Sequence, residues 1–253
     1  MTAGQPLTVY PIAGIPEVHP HDDLTALILQ AVAAQGLTVE DGDIFVVAQK
    51  VVSKAEGARV ELNTITPSEM AERWAKEWGR DARAVELVFQ ESRRLVRMQR
   101  GLIVSETLHG FVCANAGLDQ SNTGGKEVAI LLPRDPDASA RRMVESVRAA
   151  TGKTTGAIVA DTFGRPWRVG LAQVALGVAG ILPLIDHIDQ MDDDGRPMAM
   201  TVIAAADQLA CAADLVCGKT RRVPAALIRG YDGPRGEGSG KELLRDPALD
   251  LFR

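Results

Sequence analysis

The chain has 253 residues, 46% hydrophobic and 24% charged, a mix that supports one compact body over 1–253 with a buried core and excludes disorder or a fibrous repeat. With 28 basic against 33 acidic residues the net charge is -5, so no global field draws in nucleic acid or an anionic membrane, and any phosphate site must be local. Only 4% of residues are aromatic, which leaves few platforms for base stacking.

In chain order, Leu7 to Ile12 reads as a strand ended by Gly14 and Pro16, and Asp22 to Ala34 as a helix with Leu24, Leu27, Ile28, Ala31 and Val32 at helical spacing. The apolar run Ile44 to Ala48, continued by Val51 and Val52, predicts a strand buried on both faces, with Gln49, Lys50 and Lys54 at its exit. Residues 66–94 read as two charged amphipathic helices, Pro67 near the first start and Gly79 at its end, forming a lid or an outer layer. Short strands follow at Leu95 to Met98, Leu102 to Ser105, Phe111 to Ala114 and Glu127 to Leu132. Asp137 to Ala150 is an amphipathic helix, Gly156 to Ala160 a buried strand, Met200 to Ala205 a strand, Asp207 to Val216 a helix and Val223 to Ile228 a last strand. The Gly-rich tail from Tyr231 to Lys241 is expected to be mobile.

The expected fold class is therefore α/β, a mixed α+β body with mixed sheets and no internal repeat. The uncharged stretch Val174 to Ile185 is broken by Gly177, Gly180 and Pro183 and is well short of the ~20 residues that span a bilayer, so it reads as core. The amino terminus lacks a basic flank and a long apolar segment, which makes the cytoplasm the expected location. Cys113, Cys211 and Cys217 are odd in number and show no CxxC spacing, consistent with reduced thiols.

Gly-Lys occurs at Gly152-Lys153, Gly218-Lys219 and Gly240-Lys241, but the glycine that a phosphate-wrapping Walker loop needs five positions earlier is Val147, Ala213 and Arg235. No GxGxxG follows a strand, so neither a P-loop nor a Rossmann fold is expected. His187 with Asp186, Asp189 and Asp192 to Asp194 has metal-ligand residue types, yet Asp-Asp-Asp-Gly-Arg reads better as a solvated turn. Asp161 follows a buried strand and opens Asp161-Thr162-Phe163-Gly164-Arg165, while Asp119 sits in a polar loop after an apolar strand. Two carboxylates from separate loops, with Thr and Asn oxygens nearby, are the hard ligands that Mg²⁺ or Mn²⁺ prefers; as isolated residues they are equally turn caps.

Taken in order, Pro11-Ile12-Ala13-Gly14-Ile15-Pro16, Val51-Val52-Ser53-Lys54-Ala55-Glu56-Gly57, Asn115-Ala116-Gly117-Leu118-Asp119-Gln120-Ser121-Asn122, Asp161-Thr162-Phe163-Gly164-Arg165, Asp207-Gln208-Leu209-Ala210 and Pro224-Ala225-Ala226-Leu227-Ile228-Arg229-Gly230 resemble the coenzyme F420-0:L-glutamate ligases. The resemblance runs almost end to end and fits the stand-alone form, without the flavin-binding domain that longer members carry. It implies a GTP-dependent amide ligase of F420 biosynthesis, joining L-glutamate to the terminal carboxylate of an F420-0-like acid through an acyl phosphate. Mg²⁺ or Mn²⁺ is the implied cofactor, K⁺ a stimulant, and a homodimer the implied assembly.

By position, the resemblance assigns metal to Asp119, Asp161 and Thr162, and catalysis to Asp119, Asp161 and Lys54. It assigns the nucleotide to Ala13, Gly14, Ile15, Pro16, Gln49, Lys50, Lys54, Asn122, Gly218 and Lys219. Archaeal members carry an acidic metal ligand after the glycine of the late loop, where this chain reads Cys217-Gly218-Lys219-Thr220. A phosphate contact for Lys219 and one tightly held metal are the expectation there. Two rival expectations stand beside this one, a homologous ligase for another carboxylic acid and a nucleotide-binding homologue without catalysis.

Overall fold

The computed structural model describes residues 6–120 and 127–250. Its elements run β1 (Thr8–Ile12), α1 (Leu24–Ala34), β2 (Ile44–Ala48), α2 (Gln49–Ala55), β3 (Arg59–Glu61), α3 (Glu69–Trp78), α4 (Ala82–Gln90), β4 (Ser92–Gln99), β5 (Leu102–Thr107) and β6 (Val112–Ala114). They continue with β7 (Val128–Ile130), α5 (Pro136–Thr151), β8 (Gly156–Arg165), β9 (Arg168–Ala179), β10 (Ile185–Asp186), β11 (Val202–Ile203), α6 (Ala205–Cys217) and β12 (Ala225–Arg229). The mixed α+β class expected from the sequence is the class observed.

The centre is a five-stranded sheet in the order β1-β12-β2-β8-β9, antiparallel except for the pair β2–β8. Strand periodicity sends alternate side chains to opposite faces. Phe45, Val47, Ala157, Val159 and Leu227 pack against Ile28 and Val32 of α1 and Met143 and Val147 of α5. Ile44, Val46, Ile158, Ala226 and Ile228 face Leu209, Ala210 and Ala213 of α6. Burying each of the larger side chains stabilises the fold by roughly 1.5–3 kcal/mol, so the sheet is held from both sides.

Local chemistry sets the helix ends. Asp23 and Asp135 accept the Ala26 and Ala138 amides as N-caps, and Pro136 opens α5. Helix α5 lies so close to β9 that a Cβ on Gly177 would sit 2.2 Å from the Pro136 backbone. Glycine is the one residue that permits this contact.

A second layer holds α3, α4 and the β4-β5-β6 sheet around Ala71, Val85, Val88 and Ile103. Ribbon β3–β7 closes a smaller cluster with Leu62 and Leu87. No residue of α3 or α4 lines the large cleft described below, and the pair packs as an outer layer in this structure.

Four expectations need correction. Val51 and Val52 do not extend β2: the chain turns at Ala48 into α2, which places Gln49 and Ser53, and Lys50 and Lys54, at i,i+4 spacing. Strand β8 does not stop at Ala160 but runs to Arg165 and returns as β9, a long hairpin of which only the buried end reads as apolar core. The strand expected over Met200 to Ala205 is only the two-residue β11, because α6 already starts at Ala205. The tail is tied down: the buried Asp137 carboxylate accepts the Gly240 amide at 2.8 Å and the Ser239 hydroxyl at 2.5 Å, as well as the Val178 amide of β9.

Candidate functional site

Strand β2 ends opposite Ala160, so Asp161 is the first residue of β8 beyond the parallel ladder. There a cleft of about 1590 Å³ opens at the carboxyl ends of the one parallel pair, where ligands of α/β sheets commonly bind. Thr162 and Gln173 are cross-strand partners on β8 and β9 and so share a face. Asp161, next along the strand, projects the other way.

On the Asp161 side, the loop after β6 delivers Asp119. Asn115, Ala116 and Gly117 all adopt positive φ (50°, 52° and 72°), and the buried Ala116 holds this left-handed turn in the outer-layer cluster. Asp119 then exchanges both backbone hydrogen bonds with Ile130, at 3.0 and 2.8 Å, which fixes where its carboxylate starts. Lys50 Nζ lies 2.6 Å from Asp119 Oδ2. One helical turn on, Lys54 Nζ is 2.5 Å from Glu17 Oε1, and its side chain is only 12% exposed.

Asp161 is the electrostatic focus. Burial, with the Asp119 negative charge added, pushes its carboxyl up to about 6 from an ordinary 3.8, against the lowering hydrogen bond from the Thr162 amide and the Lys219 and Lys50 charges. Among the described residues no basic side chain lies within salt-bridge distance of it. Neighbouring Cys113 is pushed up to about 12 by burial and by the Asp161 charge, which keeps it a neutral, unreactive thiol.

Across the hairpin, Gln173 Nε2 donates to Thr162 Oγ1 at 3.0 Å and to Asp214 Oδ1 at 3.1 Å. Lys219 Nζ also donates to Thr162 Oγ1 and lies 3.8 Å from Asp214. Gly14, Ile15, Pro16, Gln49 and Gly218 also line the cleft. Ala13 does not line the cleft; its amide is taken by Gln35 Oε1 at 2.7 Å. Asn122 lies outside the described residues. His187 is occupied by Gln190, and Asp192 Oδ1 accepts the Asp194 and Arg196 amides, the turn expected there.

Sequence reasoning missed Glu17, Gln173, Asp214, Arg221 and Arg222, all on the cleft wall. Of these, only Asp214 had a visible signal, since it lies one helical turn before Gly218 on the amphipathic α6.

The donor set suits a hard divalent cation. A half-buried carboxylate with no ion-pair partner among the described residues, under the field of a second carboxylate, is relieved by a cation near both. Among the described residues no three His, Cys, Asp or Glu side chains are grouped to hold a metal. Two carboxylates leave the remaining positions to ligand oxygens or water, the usual arrangement for Mg²⁺ at phosphates.

Among the described residues, six basic side chains (Lys50, Lys54, Arg59, Lys219, Arg221, Arg222) face four acidic ones (Glu17, Asp119, Asp161, Asp214) in the cleft. This local positive excess, in a chain of net charge -5, lies at the end of the parallel strand pair of a mixed α+β fold. The family model of the F420-0:gamma-glutamyl ligases matches residues 14–230. A coenzyme F420:L-glutamate ligase of Methanothermobacter thermautotrophicus is 45% identical over 245 residues, covering 96% of this chain and 97% of the relative. Relatives of the same name from Methanocaldococcus jannaschii and Methanopyrus kandleri are 41% and 39% identical over 216 and 255 residues, covering 85% and 98% of this chain and 86% and 98% of theirs. The chain belongs to the F420-0:gamma-glutamyl ligase family, and the matched segment contains every candidate site residue except Ala13.

Proposed function

We propose that this protein is a GTP-dependent amide ligase that adds L-glutamate to the terminal carboxylate of an F420-0-like acid. Family membership supports the reaction class. The observation that carries the chemistry is the half-buried Asp161 carboxyl, raised in pKa by desolvation and by the Asp119 charge, in a cleft that Lys50, Lys54, Lys219 and the arginines also line.

A carboxylate is too weak an electrophile for an amine. Its oxygen first attacks the γ-phosphorus of the nucleotide, the bond to the β-phosphate oxygen breaks and GDP leaves. The glutamate amine then attacks the carbonyl carbon of the acyl phosphate, inorganic phosphate departs, and the surplus protons pass to solvent.

Asp119 and Asp161 would hold Mg²⁺ or Mn²⁺, and Thr162, on the opposite face of β8, would offer its hydroxyl as a separate coordination position; a cation there neutralises charge between phosphates and carboxylate. Lys54, steadied by Glu17, supplies a point charge for phosphate oxygens, and Lys50, beside Asp119, adds a second positive charge to the same cleft. The loop at Gly14 to Pro16 and Gln49 form the wall against which the nucleotide lies. K⁺ is expected to stimulate.

The test is incubation with GTP, Mn²⁺, L-glutamate and F420-0, followed by mass spectrometry and GDP assay. The expected result is an acid heavier by one glutamyl residue with one GDP formed for each. Glutamate addition in excess chelator, or none with any nucleotide, overturns the proposal.

A further inference from the structure

The Thr162 hydroxyl oxygen accepts two hydrogen bonds, from Gln173 Nε2 at 3.0 Å and from the Lys219 ammonium. A hydroxyl oxygen has two lone pairs, and these donors use both. The Gln173 amide cannot simply flip to release one. Its Nε2 also donates to Asp214 Oδ1 at 3.1 Å, and the flipped amide would set its carbonyl oxygen against that carboxylate. Gln173 Oε1 is buried without a hydrogen-bond partner among the described residues, so the present orientation is held by Asp214 and Thr162 alone. Of the two donors on Thr162, Lys219 is the one that can leave: its side chain is 58% exposed, and Asp214, 3.8 Å away, keeps it close.

We infer that Lys219 is a tethered cation that occupies the Thr162 coordination position, so that a divalent ion and the Lys219 ammonium exclude one another on Thr162 Oγ1. The inference rests on the metal-dependent reading above. A consequence is ordered assembly: the protein alone takes a divalent ion weakly, and anionic phosphate that draws Lys219 away opens the full site. Gln173 and Asp214 are then positioning residues, acting through Thr162 and Lys219.

Mn²⁺ binding to the nucleotide-free protein, followed by the paramagnetic signal of free Mn²⁺, tests this without turnover. Removing the Lys219 charge would strengthen Mn²⁺ binding somewhat through the field alone, so the comparison is a double-mutant cycle. Lys219→Met is expected to tighten Mn²⁺ roughly tenfold in the Thr162 protein, and less than about threefold in the Thr162→Val background, where no hydroxyl is contested. An equal gain in both backgrounds, or no gain in either, overturns the inference. Asp161→Asn separates the two readings. If it abolishes Mn²⁺ binding while the Lys219 gains are equal, the metal site stands and the Lys219 role falls; if no variant binds Mn²⁺, both fall.

Discussion

At the scale of single residues, Asp161 makes a sign prediction. Its carboxyl holds a proton more tightly folded, near 6, than its ordinary 3.8, so between those values the folded metal-free protein binds more protons than the unfolded chain. Stability therefore falls as pH rises through this window and stays lower above it, by on the order of 1–3 kcal/mol at neutral pH. Asp161→Asn removes the penalty. Thermal melts without metal should show the variant gaining on wild type from pH 4 to 6, whereas Mn²⁺ should raise the melting temperature of wild type alone. Ligase turnover of the variant should drop by two or more orders of magnitude. A turn-capping Asp161 would give near-normal turnover and no loss of the Mn²⁺ effect. Lys54 offers a separate check: Lys54→Met should raise KM for the nucleotide about tenfold or more while leaving the fold intact, measured by steady-state kinetics beside a melt.

At the scale of elements, Asp137 ties helix α5, strand β9 and the tail together. Asp137→Ala would strand the buried Val178 and Gly240 amides and is expected to cost about 2–4 kcal/mol in urea unfolding. Fast hydrogen exchange at Gly240 should accompany it. The sequence concealed this tie because the tail signals loop by composition, and an aspartate in the first turn of a helix looks like an ordinary dipole partner. Helix α2 was misread for a related reason. Val51 and Val52 carry strand propensity, but tertiary burial of Gln49 and Ser53 decides the segment. The Gly79 helix end and the Asp192 turn were legible because each depends on local backbone chemistry. Asp119, Asp161, Lys50 and Lys54 could be singled out from motif order, and the structure brings them to one cleft. The Gln173 and Asp214 links were not legible, since they join residues 11 and 41 positions apart, the first across the β8–β9 hairpin and the second from that hairpin to α6.

At the scale of the whole molecule, the homodimer expected from family resemblance finds its best surface on the β8–β9 hairpin. Edge exposure in the β-rich middle is a weaker reason than the sequence suggests. Strand β4 carries Arg93, Arg94 and Arg97 and two register shifts, both of which blunt an edge against pairing. The hairpin behaves oppositely. Trp167 in its turn and Val169 and Leu171 at the start of β9 are 78%, 96% and 68% exposed, an apolar run at the hairpin's outer end. Phe163, Gly164 and Leu171 also line the cleft, so whatever covers this run borders the ligand. A second copy of the chain, laid on it by two-fold symmetry, would dry it and close that side of the site. Light scattering at micromolar concentration should then give the mass of a dimer, and Val169→Asp with Leu171→Asp the mass of a monomer with an unchanged circular dichroism spectrum. The double variant should also lose ligase activity at least tenfold, because the cleft wall is left wet. A wild-type monomer at that concentration, or a monomeric variant with full activity, would remove the hairpin from the assembly and leave each cleft complete within one chain.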